Sequence, residues 1–69
     1  MISQLTYNEN TDRIEFDGYG LHCGDGLTVL IVDEETGKTK WVETCIEYSN
    51  RWYLVGLSKY QVNGLFAKM

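Results

Sequence analysis

The sequence predicts an all-β domain, small and strongly curled, with five to six antiparallel strands in a partly open barrel and at most one short helical turn. Three observations carry this. Short segments alternate apolar and polar residues, the period of a half-buried strand. Seven glycines and no proline, together with clusters of Asn and Asp, punctuate the segments with turns. A chain of 69 residues is too short for a two-sheet immunoglobulin sandwich, so the sheet has to bend around its own core.

The first strand is read at Gln4 to Tyr7, and Asn8 to Asp12 is a turn, because Asn and Asp tolerate left-handed backbone and bond their own neighbours. Arg13 to Asp17 alternates, with Ile14 and Phe16 on one face, and completes a hairpin. Gly18 to Gly26 holds four glycines and reads as an irregular connection. Leu27 to Val32 is nearly all apolar, the pattern of a central strand covered on both sides over part of its length. Asp33 to Gly37 is a hairpin loop with Gly37 in the left-handed position. Lys40 to Tyr48 is the longest alternating run, with Val42, Thr44, Ile46 and Tyr48 on one face and Trp41, Glu43, Cys45 and Glu47 on the other. Arg51 to Leu57 returns as a strand after Ser49 and Asn50, closing a three-strand meander. Ser58 to Asn63 holds at most one helical turn, and Asn63-Gly64 introduces a last strand, Leu65 to Lys68. Hairpin, Gly-rich connection, meander, short turn and final strand follow the order of an SH3-like barrel.

Leu, Ile, Val and Phe supply 18 of the 69 residues, enough apolar surface for a chain to fold. A chain this small buries only about 60% of its unfolded surface. Residues 1–69 therefore form a single domain with one thin core and no volume for a buried cofactor, and none is expected.

Ten acidic residues against six basic ones give a net charge of −4. The cations Arg13, Lys38, Lys40, Arg51, Lys59 and Lys68 are spread singly along the sequence. Phosphate neutralisation needs clustered Lys and Arg, so this balance disfavours nucleic acid and suits either solubility or a basic protein surface. No apolar run is long enough to span a bilayer, and Met1 to Gln4 lacks a basic segment leading into an apolar one. A cytoplasmic protein with no membrane association is expected, with Cys23 and Cys45 as free thiols.

Leu21-His22-Cys23-Gly24-Asp25 gathers residue types used by metal sites and cysteine nucleophiles. Adjacent residues on an extended chain point to opposite faces, so His22 does not serve Cys23 as a base. No paired CxxC or HxxxH spacing completes a zinc site. The plainer reading has Gly24 and Asp25 in a turn, Cys23 filling a small core space and His22 bonded to backbone. Glu43 and Glu47 lie about 13 Å apart on an extended strand, too far to flank one scissile bond, and the glycines match no phosphate-binding loop. Neither catalytic residues nor a metal site are expected, and the protein is read as no enzyme.

Nine aromatic residues are many for this length, and some must reach the surface. Trp41 shares a strand face with Glu43 and Glu47, while Tyr19 and Tyr60 fall in irregular segments. Surface aromatics are the usual anchors of protein interfaces, against the alternative that the two tryptophans only cap a small core. Tyr19, Trp41, Glu43, Glu47 and Tyr60 are thus the candidate interaction residues. Trp41 and the stretch Val55 to Val62 also resemble the tail of peptide-binding SH3 domains. Their acidic aromatic motif and groove proline are missing here.

Gly20 to Asp25, followed by Leu27-Thr28-Val29-Leu30, Trp41-Val42-Glu43-Thr44 and Trp52-Tyr53-Leu54-Val55-Gly56, is similar to a family of short uncharacterised proteins of Gram-positive bacteria. These are domains of unknown function, often encoded near mobile elements. The similarity runs from Tyr19 to Leu57. It departs at Gly26, where a larger residue is expected, and at Cys45, where a basic one is common. The resemblance supplies a mobile-element setting and no activity; the aromatic and acidic surface of Tyr19, Trp41, Glu43, Glu47 and Tyr60 points to a protein-interaction domain of such an element. The alternative is a small acidic inhibitor of a nucleic-acid-binding protein, of anti-restriction or anti-CRISPR type. The partner would be another protein, and a homodimer through a strand edge is also compatible.

Overall fold

A computed structural model describes residues 1–69. It contains eight strands and no helix: β1 (Ile2–Gln4), β2 (Thr6–Asn8), β3 (Arg13–Phe16), β4 (Tyr19–Gly20), β5 (Gly26–Val32), β6 (Thr39–Tyr48), β7 (Trp52–Leu54) and β8 (Phe66–Lys68). They form two antiparallel sheets, ordered β1-β8-β5-β6-β7 and β2-β3-β4. The all-β class and the small, open antiparallel architecture agree with the sequence reading.

Eight strands exceed the five to six expected, for local reasons. The segment Gln4 to Tyr7 divides at Leu5, whose side chain is fully buried. The Leu5 N–H donates to the Leu65 carbonyl, and the Leu5 carbonyl accepts from Gly64. The chain turns a corner there, so β1 joins the large sheet and β2 the small one. Two residues of the Gly-rich connection pair with β3 as β4. The strand beginning near Arg51 ends at Leu54, because Leu57 N–H closes a turn on the Leu54 carbonyl with Gly56 at φ 78°.

The core lies between the sheets. Leu27, Val29 and Ile31 of β5, Ile46, Leu54 and Ala67 meet Leu5, Ile14, Phe16, Leu21 and the loop residue Val62. Burying each such aliphatic side chain contributes roughly 1.5–3 kcal/mol. Burial on β5 alternates strictly, with Thr28 and Leu30 half-exposed. This corrects the expectation of a strand covered on both sides: β5 is central because β8 and β6 flank it, while only one of its faces meets the core.

The Asp33–Gly37 loop forms as read: Gly37 takes φ 74°, and the Asp33 carboxylate accepts the Glu35 N–H at 2.9 Å. Residues 58–63 form successive turns without a helix, and they hold Val62 in the core and Tyr60 against it.

Candidate functional site

The register of the large sheet determines what lies on its outer face. On β6, Trp41, Glu43, Cys45 and Glu47 alternate with the inward-pointing Val42, Thr44 and Ile46. Pairing places Leu30 beside Trp41, Thr28 beside Glu43, Lys68 beside Thr28, Ile2 beside Lys68 and Tyr53 beside Glu47. Alternation adds Val32 and Phe66 to the same side. The face is open: Ile2 is 60% exposed, Val32 and Phe66 each 48%, and Trp41 37%. An antiparallel sheet in water ordinarily turns polar residues outward, so four large apolar side chains here are out of pattern.

Charge is sparse on this face. Lys68 reaches across β5 and sets its Nζ 4.4 Å from the centre of the Trp41 ring. It makes no ion pair, since the sole one in the fold joins His22 and Asp25. The strand face that carries Trp41 therefore has one cation laid on its aromatic and two carboxylates, Glu43 and Glu47, further along β6.

Of the five candidate residues, Trp41, Glu43 and Glu47 stand together on this face. Tyr19 belongs to β4 of the other sheet, exposed, with its ring 6.2 Å from that of His22. Tyr60 is half-buried against the core, with the Lys59 Nζ 5.2 Å from its ring centre. Ile2, Leu30, Val32, Phe66 and Lys68 also lie on the outer face and were not among the candidates. Lys68 and Ile2 enter it only through strand pairing, and the reading of β5 as buried on both sides concealed Leu30.

The His22 turn holds no assembled chemistry. Asp25 Oδ2 accepts the His22 backbone N–H at 2.8 Å and stands 4.0 Å from Nδ1. Gly24, at φ 92°, donates its N–H to the Ile46 carbonyl. Cys23 is exposed, which corrects its expected place in the core: the turn keeps Gly24 and Asp25 on β6 and leaves residue 23 outside. The His22 side chain is likewise exposed, and the turn uses its backbone. Both cysteines are free thiols. No group of three or more His, Cys, Asp or Glu side chains is placed to hold a metal ion, and no helix is long and apolar enough to cross a membrane.

Among known proteins, residues 3–68 match the family described as Domain of unknown function (DUF5348). No curated protein and no solved structure matches.

Proposed function

The chain belongs to this family of unknown function over nearly its whole length, and from that premise we propose that it is a non-catalytic, cytoplasmic protein-interaction domain that binds through the outer face of its large sheet. The observation that carries the reading is the open apolar surface of Ile2, Leu30, Val32, Trp41 and Phe66. Contiguous exposed apolar side chains mark contact surfaces, and Trp is among the residues that most often anchor them. Glu43 and Glu47 beside it favour a partner with a basic rim. The similarity of residues 19–57 to proteins encoded near mobile elements of Gram-positive bacteria supports such an element as the setting.

The β1 edge extends the same surface. Leu5 N–H bonds to Leu65, and Ser3 faces Ala67 across β8. The main-chain groups of the alternate residues Ile2 and Gln4 are therefore directed away from β8. An added strand, from a partner or from a second copy, would pair there and continue the outer face.

Affinity capture from the native host tests the reading, using the wild type, Trp41→Ala and Tyr19→Ala. A partner retained by wild type and Tyr19→Ala but lost with Trp41→Ala is the expected result. Retention of the same proteins by Trp41→Ala would overturn the assignment of the surface.

A further inference from the structure

Away from the outer face, the ends of two hairpins meet the 58–63 segment around a cleft of about 550 Å³. Its floor is core: Ile14 and Val62. Its walls are the rings of Tyr7, Tyr48 and Trp52, with Tyr7 44% and Tyr48 47% exposed. These rings are held in place. The Trp52 Nε1 donates to the Asp12 carbonyl at 2.9 Å, stapling one hairpin to the other. The Tyr7 hydroxyl donates to the Asp12 carboxylate at 2.6 Å. Tyr48 stands edge-on to Trp52 with ring centres 5.1 Å apart.

Two cations line the same cleft. Arg51 gives one guanidinium nitrogen to the Ser58 carbonyl at 2.8 Å, leaving other N–H donors free. Neither Arg51 nor Lys59 makes an ion pair, although acidic residues outnumber basic ones in the chain.

We propose that this cleft binds an extended acidic segment of a partner protein, seating an apolar or aromatic side chain among Tyr7, Tyr48 and Trp52 while flanking carboxylates meet Arg51 and Lys59. Tyr7 and Trp52, already locked by hydrogen bonds, lose little freedom on binding, which is the condition for affinity from a small cleft. The two unpaired cations supply the charge complement beside the rings, in a chain whose net charge of −4 disfavours an acidic ligand where no cation stands. A single-stranded nucleic acid fits less well. It needs several cations along its backbone, whereas the cleft offers two, Arg51 and Lys59, and its one carboxylate, Asp12, is taken up by the Tyr7 hydroxyl. The inference stands apart from the outer-face reading, because Tyr48 and Trp52 belong to the opposite side of their strands from Trp41.

Trp41→Phe leaves Trp52 as the only tryptophan and makes it a reporter of the cleft. The probe is a short end-capped peptide with a central Leu-Phe pair flanked by glutamates, beside its lysine-flanked counterpart and an oligothymidylate. The expected result is a saturable change in Trp52 emission with the glutamate peptide alone, and amide shifts at Tyr7, Tyr48 and Trp52 in a nitrogen-15 spectrum. Arg51→Gln with Lys59→Gln weakens binding roughly tenfold, the sum of two exposed charge contacts. Lys59→Gln alone, which removes no hydrogen bond of the fold, weakens it by a smaller factor with unchanged thermal unfolding. Absence of saturable binding at about 1 mM peptide, equal binding of the lysine peptide, displacement by the oligothymidylate, or full affinity in the double variant would each overturn the proposal.

Discussion

The Lys68 ammonium lies 4.4 Å from the centre of the Trp41 ring, although β5 separates the strands that carry the two residues. The lysine stem must therefore cross β5, where Thr28 sits beside Lys68 and Leu30 beside Trp41. A cation over an exposed indole contributes about 0.5–1 kcal/mol. Lys68→Gln is expected to lower the unfolding free energy by that amount in urea titration with an unchanged slope. A loss above about 2 kcal/mol would exceed the range for exposed pairs and assign Lys68 a structural role.

Trp41→Ala and Leu54→Ala separate surface from core. Leu54 is fully buried, and its truncation leaves a cavity, so a loss of about 2–5 kcal/mol is expected. Trp41→Ala removes the cation contact and the cross-strand pair with Leu30, together about 1–2 kcal/mol. Urea unfolding of the two variants checks the ranking. If Trp41→Ala destabilised as much as Leu54→Ala, the tryptophan would be a core cap, and its loss in a capture experiment would say nothing about a partner.

Alternation made β6 legible: the sequence alone assigned Trp41, Glu43 and Glu47 to one face, and the register confirms it. The turns at Asp33–Gly37 and Ser49–Asn50 were equally readable, because Gly37 and Asn50 take the positive φ that their residue types tolerate. What remained hidden depended on distant pairing. Leu5 looks like any strand residue until its bonds to Leu65 and Gly64 show the chain leaving one sheet for the other. Lys68 meets Trp41 only because β8 pairs with β5. The cations, spread singly in sequence, include two that line one cleft: Arg51 and Lys59 reach it from either side of β7.

Tyr7 carries a pH signature of that cleft. Its hydrogen bond to Asp12 raises its pKa above the ordinary tyrosine value, with smaller contributions from burial and from the Asp12 charge. In the unfolded chain the phenol ionises at the ordinary value. The neutral form is thus favoured by folding: its stabilising contribution is complete below the ordinary tyrosine pKa and is lost as pH rises through the raised folded value. Ring resonances of Tyr7 followed through the alkaline range should titrate later than those of a free tyrosine, and Asp12→Asn should bring the midpoint down. An unchanged midpoint in Asp12→Asn would show that the 2.6 Å bond is not what protects the hydroxyl.

Two glycines should respond in opposite ways to the same substitution. Gly26 opens β5 opposite Cys45, and a Cβ there would meet only the Thr44 carbonyl oxygen at 3.9 Å, an ordinary contact. Gly26→Val therefore adds a β-branched residue to a strand and removes glycine's freedom from the unfolded chain. A gain of up to about 1 kcal/mol is expected. Gly37 also has open space around it, but its φ of 74° lies in the left-handed region, where a β-branched side chain costs about 1–2 kcal/mol. Gly37→Val should be less stable than wild type by that amount and Gly26→Val no less stable, both read from urea midpoints at constant slope. A destabilised Gly26→Val would mean that the first residue of β5 makes a close approach that only glycine permits.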